Sequence, residues 1–134
     1  GCNGSCRLTL SASQIACLDA VDGDACASCE CMECAEQNSA CRASGDSKRD
    51  SACDAVETCA AAAGCTGEAC YCGTSSLARC ALFANGPCKD EIEAAAGTRV
   101  ALQIQAQYND RNTALGRARV LGECRRAQCV SECR

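Results

Sequence analysis

Cysteine is the residue whose number and spacing could carry chemistry in this chain. Eighteen of the 134 residues are cysteine, and none is histidine. Proteins use thiols at this density in two ways, as disulfides or as ligands for soft metal ions such as Cu(I) and Zn²⁺. The share is typical of a short, secreted, disulfide-stabilised protein, and the even count allows complete pairing. The sequence therefore predicts a disulfide framework.

We expect every cysteine to take part in this framework, although the pairing cannot be deduced from sequence. The cysteines are Cys2, Cys6, Cys17, Cys26, Cys29, Cys31, Cys34, Cys41, Cys53, Cys59, Cys65, Cys70, Cys72, Cys80, Cys88, Cys124, Cys129 and Cys133. Because a reducing cytosol would keep thiols free, the framework predicts a secreted protein, extracellular or periplasmic. The chain shows no signal peptide, so we expect it to be the mature form.

A metal-binding alternative stays open because of closely spaced cysteines. Two Cys-x-x-Cys pairs occur at Cys26–Cys29 and Cys31–Cys34, and two Cys-x-Cys pairs at Cys29–Cys31 and Cys70–Cys72. A thiolate store for Cu(I) or Zn²⁺ would use such groups, with the ligands Cys26, Cys29, Cys31, Cys34, Cys70 and Cys72. The spacing is not that of a structural zinc site or a ferredoxin. Residues two apart seldom form a relaxed disulfide, so each member of a Cys-x-Cys pair should bind a distant partner.

No catalytic or cofactor-binding site is indicated. Without histidine there is no Ser-His or Cys-His dyad, and no phosphate-binding loop or Gly-x-Ser-x-Gly motif occurs. Asp90, Glu91 and Glu93 lie near a predicted helix start, where carboxylates interact favourably with the helix dipole. We therefore expect a protein that is not an enzyme and needs no cofactor.

Charge and hydropathy limit the classes of partner that this protein is expected to bind. The net charge is −4, which argues against nucleic-acid binding, because such proteins display basic patches. Four arginines near the C-terminus, Arg117, Arg119, Arg125 and Arg126, are expected on a solvated helix face. No stretch approaches the roughly 20 apolar residues of a membrane span. The remaining partners are another protein or a second copy of this chain.

The elements that position the cysteines are predicted to be short helices and stapled loops. With only three aromatic residues, the chain has few bulky groups to bury, so cross-links must offset what packing cannot supply. Capping residues, helix propensity and glycines predict the boundaries. We predict helices over 11–21, 25–42, 51–63, 75–83 and 89–96, with Pro87 at the first position of the last, a solvated loop over 44–50 and a stapled loop over 65–73.

The cysteine-free stretch 89–123 must be held by packing. Residues 99–108 alternate as a strand would, yet Val100, Ile104 and Tyr108 also lie at helical spacing. We favour a helix because glutamine and alanine suit it. The next helix should present Leu115, Ala118 and Leu121 as its apolar face, and 123–134 should form a short helix tied back by bridges. The predicted fold is mostly α, a single small disulfide-rich domain over 1–134.

Four segments carry a resemblance to a known group of proteins: Cys70-Tyr-Cys-Gly, Gly86 to Gly97, Ala114-Leu-Gly-Arg-Ala and Cys124 to Cys133. Over about the C-terminal two-thirds, the chain resembles cysteine-rich secreted proteins of myxobacteria and related bacteria. That resemblance implies export and disulfides and brings no assigned activity. We expect an exported, non-enzymatic structural or binding protein of the cell surface, the extracellular matrix or an appendage, with self-assembly as one mode of binding.

Overall fold

The predicted helical fold is confirmed by a computed structural model, which describes residues 10–21 and 23–133. Within those ranges the chain forms nine helices and no strand. The helices are α1 (Ala12–Asp19), α2 (Ala25–Glu33), α3 (Ala35–Arg42), α4 (Ser47–Ala63), α5 (Ala69–Cys72), α6 (Leu77–Cys80), α7 (Lys89–Ala96), α8 (Ala101–Tyr108) and α9 (Ala114–Gln128). None of these described helices is long and apolar enough to cross a membrane.

Local capping signals set several helix ends. Ser11 caps α1 in a capping box with Gln14, which satisfies backbone N–H groups that have no partner inside the helix. Gly64 and Gly97 end α4 and α7 with φ angles of 70° and 69°. Glycine reaches this left-handed conformation without a steric cost. These ends therefore follow from sequence alone, and the predicted ends of α4 and α7 are confirmed.

The prediction of one helix over 25–42 is wrong. The chain leaves the helical conformation at Cys34, where φ is −127° and ψ is 33°, so two helices replace one. The break lies between two cysteines that have different disulfide partners. Cys34 is bonded to Cys124, and Cys41 is bonded to Cys53. The position of the break follows from these tertiary links, which sequence periodicity does not encode.

The predicted solvated loop over 44–50 is too long. Helix α4 begins at Ser47, because the Asp46 side chain accepts a hydrogen bond from the Arg49 backbone. The Asp50 carboxylate accepts hydrogen bonds from Ser44, which lower the pKa of Asp50. Charged residues that resemble a loop by composition thus form the first turn of the longest helix.

Three boundaries between 65 and 88 also differ from prediction. The stapled loop contains the short helix α5, and the helix predicted over 75–83 is only the four residues of α6. Pro87 lies before Cys88, the N-cap of α7, rather than inside the helix. Here the backbone is held by tertiary contacts, since the Gly86 N–H donates to the Tyr71 carbonyl at 2.7 Å.

The helix favoured over 99–108 is confirmed for Ala101–Tyr108, which form α8 with Ile104 and Tyr108 buried on one side. Val100, predicted at the same helical spacing, is instead the half-exposed N-cap. The predicted face of α9 is confirmed, with Leu115, Ala118 and Leu121 all buried. The separate helix predicted over 123–134 is wrong, because α9 continues to Gln128.

Helix α9 lies at the centre of the fold and packs against α2, α3, α4, α7 and α8. Large apolar side chains are few in its surroundings. Among the largest fully buried side chains of the described chain, five are aliphatic and seven are cysteine. The bridges therefore occupy much of the interior that bulky side chains fill in other domains. The five aliphatic residues are Val56, Ile92, Ile104, Leu115 and Leu121.

Candidate functional site

The structure pairs all sixteen cysteines that it describes in eight disulfides. Cys2 and Cys6, also predicted to form bridges, lie outside the described residues. The bridges are Cys17–Cys31, Cys26–Cys133, Cys29–Cys129, Cys34–Cys124, Cys41–Cys53, Cys59–Cys88, Cys65–Cys70 and Cys72–Cys80. This many bridges require an oxidising environment.

Three of these bridges form a ladder that joins the first third of the chain to its C-terminal end. Cys26–Cys133, Cys29–Cys129 and Cys34–Cys124 connect positions that ascend on one side and descend on the other. The ladder therefore runs antiparallel, with α2 alongside the end of α9. It closes long segments of chain, which is where a cross-link removes most entropy from the unfolded state.

The six cysteines of the metal-binding alternative are not brought together. Each has a different partner, and those partners are Cys133, Cys129, Cys17, Cys124, Cys65 and Cys80. As predicted, no Cys-x-Cys pair is bonded internally. The partners of Cys70 and Cys72 are near in sequence, however, at separations of five and eight residues, so that motif does not link distant segments.

Two other groups of candidate ligand atoms do lie close together. The sulfurs of Cys65, Cys70 and Cys88 are all within 4.8 Å of one another, as are those of Cys29 and Cys129 with a Glu132 carboxylate oxygen. In both groups the cysteines belong to disulfides, so these sulfurs are not thiolates in this structure. Sequence reasoning missed the first group because its spacing matches no metal motif.

A cluster of ionic side chains lies beneath α9. Glu30, Glu57 and Arg125 are buried. The Arg125 guanidinium contacts the Glu57 carboxylate directly, and its Nη1 is 3.9 Å from Oε2 of Glu30. Arg42 also pairs with Glu30, and its Nε donates to Oδ1 of Asp54 at 2.7 Å. This buried ion cluster ties α2, α3, α4 and α9 together through charge rather than apolar packing.

The prediction that four C-terminal arginines form a solvated face is wrong for three of them. Burial lowers the pKa of Arg125, while Glu30 acts in the opposite direction. Arg117 donates to the Ala40 carbonyl at 2.8 Å, and Arg119 to the Tyr108 carbonyl at 2.7 Å. Only Arg126 is exposed. Arg125 thus pairs with buried carboxylates, while the partly buried Arg117 and Arg119 donate to backbone carbonyls of neighbouring helices.

A groove of about 560 Å³ lies over the end of α4 and the C-terminal segment. Its lining combines Asp24, Glu132 and Arg126 with alanines and cystines. Since both signs of charge are present, the groove selects no single class of charged ligand.

A second polar group links α5 to α7. The Tyr71 hydroxyl donates to Oε2 of Glu93 at 2.8 Å, and Glu93 lies 3.8 Å from the Arg99 guanidinium. Burial, followed by the hydrogen bond to Glu93, raises the pKa of Tyr71 to about 12. Asp90 and Glu91 lie in the first turn of α7, as expected for carboxylates near a helix start. These carboxylates have structural roles.

Among the described residues, the two most exposed large apolar side chains lie on one loop. Leu82 and Phe83 are 75% and 76% exposed, and we call this pair the apolar loop. The loop is held at both ends, because it follows Cys80, bonded to Cys72, and precedes Cys88, bonded to Cys59. The Gly86 N–H also donates to the α5 backbone at 2.7 Å. Contiguous exposed apolar side chains are one mark of an interaction surface, and Leu82 and Phe83 are adjacent in the chain.

The apolar loop was not identified from sequence, because Leu82 and Phe83 were assigned to a longer helix. The disulfide framework was identified, and it positions the loop. No protein-family model, curated protein or solved structure matches this chain.

Proposed function

We propose that this chain is an exported, non-enzymatic structural or binding protein of the cell surface, the extracellular matrix or an appendage, and that it self-assembles through the apolar loop. The observation that carries the proposal is the exposure of Leu82 and Phe83 between two bridged, buried cysteines. Covalent bridges stabilise the folded segment that carries these side chains, because they lower the entropy of the unfolded chain.

Rigidity of the loop favours binding. A flexible apolar segment would lose conformational entropy on association, at a cost of roughly 0.5–1.5 kcal/mol for each immobilised side chain. The bridges and the Gly86 hydrogen bond already restrict the backbone here. Leu82 and Phe83 can therefore act as anchors that enter an apolar depression on a second copy.

The size of the contact sets its strength. A stable interface buries about 800 Å² on each partner, which is more than two side chains supply. One loop contact should thus be weak, and many copies joined by repeated contacts would be needed for a stable assembly. The small net charge of −4 opposes association only slightly.

Sedimentation velocity over a concentration series up to the millimolar range tests this proposal. We expect concentration-dependent association of the wild-type protein and its loss in Leu82→Ser/Phe83→Ser. The matched control is Val100→Ser/Leu102→Ser, which removes another pair of exposed apolar side chains from the start of α8 and should still associate. A wild-type protein that stays monomeric would refute self-assembly, and equal loss in both variants would refute the role of the loop.

The alternative proposal is a thiolate store for Cu(I) or Zn²⁺. It requires free thiols, and the pairing of sixteen cysteines in eight bridges weighs against it. An intact mass under denaturing, non-reducing conditions, with thiol titration and metal analysis of the native protein, separates the two proposals. Thiols that do not react support the exported scaffold. Many reactive thiols with bound copper or zinc would support the store instead.

A further inference from the structure

Two of the eight described bridges touch each other. The Sγ atoms of Cys65 and Cys88 are 3.9 Å apart, although Cys65 is bonded to Cys70 and Cys88 to Cys59. The sulfur of Cys70 also lies within 4.8 Å of both. Disulfides exchange when a thiolate attacks a disulfide sulfur. A thiolate released in one of these bridges would therefore start in near contact with the other bridge.

Exposure differs within this group of four cysteines. Cys70 and Cys88 are 1% and 0% exposed, whereas Cys59 and Cys65 are partly exposed. A small thiol from solvent can reach Cys65 more easily than Cys70. Attack at Cys65 would release Cys70 as a thiolate in buried surroundings, where the charge is destabilised.

The backbone already holds Cys70 beside Cys88. The Cys88 N–H donates to the Cys70 carbonyl at 2.9 Å, and the adjacent Gly86 N–H donates to the Tyr71 carbonyl at 2.7 Å. A bond between the sulfurs of Cys70 and Cys88 would thus join residues that neighbour each other in space. This pairing requires less movement than one between segments that are not hydrogen-bonded.

We propose that Cys59, Cys65, Cys70 and Cys88 form a thiol–disulfide exchange site. A small thiol forms a mixed disulfide with Cys65, and the Cys59 side chain becomes a free thiol. In the first step an external thiolate attacks Sγ of Cys65, the Cys65–Cys70 bond breaks, and Cys70 leaves as a thiolate. In the second step that thiolate attacks Sγ of Cys88, the Cys59–Cys88 bond breaks, and a Cys70–Cys88 bond forms.

The sequence of steps is balanced without an oxidant or reductant. One S–S bond breaks and one forms in each step, and the Cys59 thiolate takes up the proton that the external thiol lost. The products are a mixed disulfide at Cys65, the bridge Cys70–Cys88 and a free Cys59 thiol. In the second step the negative charge moves from a buried sulfur to a partly exposed one, and this difference in solvation favours the forward reaction. This chemistry goes beyond the proposed function, because it does not depend on the apolar loop.

The other described bridges are not grouped with the sulfurs of a second bridge in this way. In the described chain, the only other close group that contains sulfur is a single bridge, Cys29–Cys129, with Glu132. The Cys72–Cys80 bridge belongs to neither group, although its cysteines are also buried. It therefore provides a matched control for exchange.

Treatment of the wild-type protein with glutathione tests the proposal. After acid quenching, free thiols are alkylated, and the linkages are mapped by mass spectrometry of a non-reduced digest. We expect glutathione on Cys65, the alkyl group on Cys59 and a Cys70–Cys88 linkage in the same molecules. Alkylation of Cys70 with Cys59–Cys88 intact would overturn the proposal, as would adducts that form first at other bridges.

A pair of variants tests the second step without an added thiol. Cys65→Ser leaves Cys70 as the odd cysteine, and we expect Cys70–Cys88 with Cys59 as the alkylated thiol. Cys80→Ser leaves Cys72 odd and buried, and its thiol should stay on Cys72 with the other bridges unchanged. A Cys65→Ser protein that keeps Cys59–Cys88 with alkylated Cys70 would refute the transfer. If this variant does not fold, the glutathione experiment on the wild-type protein decides.

Discussion

Removal of the outermost bridge of the ladder tests how the disulfides stabilise this fold. Cys26 and Cys133 are 107 residues apart. If their bridge closed that loop by itself, the chain-entropy relation would give a loss of about 5 kcal/mol on removal. The next bridge, Cys29–Cys129, already holds the two segments together, however. The bridges therefore should not act independently.

The effective loop closed by Cys26–Cys133 is much shorter than its sequence separation. It includes three residues from Cys26 to Cys29 and four from Cys129 to Cys133. The same relation for a loop of about seven residues gives about 2 kcal/mol. We expect Cys26→Ala/Cys133→Ala to lower the free energy of unfolding by that smaller amount.

Cys72→Ala/Cys80→Ala is the matched control, because this bridge spans only eight residues and should also contribute about 2 kcal/mol. Its cysteines are buried, so truncation adds a packing cost and the control should lose at least as much as the ladder variant. Urea unfolding under non-reducing conditions measures both losses. If the free energy of unfolding falls about twice as much in the ladder variant as in the control, the bridge Cys26–Cys133 closes its long loop independently of Cys29–Cys129, and the reasoning is refuted.

Three further predictions concern residues outside the ladder. Replacement of Arg125 by methionine should lower the free energy of unfolding by about 3–5 kcal/mol, because the buried Glu57 charge loses its partner; urea unfolding measures this, and Arg125→Met/Glu57→Gln should recover part of the loss. Gly116→Ala should destabilise by about 1–3 kcal/mol, because a Cβ there would lie 1.8 Å from a backbone carbonyl oxygen. Gly122→Ala should cost less in the same assay, since its Cβ would meet only side-chain atoms, the nearest at 3.1 Å. Because the pKa of Tyr71 rises to about 12 in the folded protein, its contribution to stability is complete below pH 10 and is lost as the pH rises through 12. Burial also raises the pKa of Tyr108, the second tyrosine of the chain, so an absorbance titration of the native protein should show no tyrosine ionising near pH 10. A midpoint near pH 10 in Tyr108→Phe, which leaves Tyr71 as the one tyrosine, would contradict the hydrogen bond to Glu93.

Local signals predicted much of the helical structure. The ends of α4 and α7 follow from Gly64 and Gly97, whose positive φ angles suit glycine alone. The buried face of α9 follows from apolar residues at helical spacing. In each case the residues that determine the structure lie within one or two helical turns of one another, so the feature can be predicted from the sequence.

Other features depend on contacts between distant segments. The helix break at Cys34 serves a bridge to Cys124, 90 residues away. Arg125 follows the sequence pattern of an exposed arginine, yet it is buried against Glu30 and Glu57. Its surroundings come from α2 and α4, and no local pattern on α9 encodes them.

By itself the sequence determined that the fold is helical, rich in cysteine and poor in bulky core residues. Composition and short-range periodicity are enough for this, because helix propensity and capping act over a few residues. Only the tertiary structure decided which cysteines pair, which arginine is buried and that two bridges touch. Disulfide geometry constrains the separation of two Cα atoms in space and says nothing about their separation in sequence, so the pairing follows from how the helices pack.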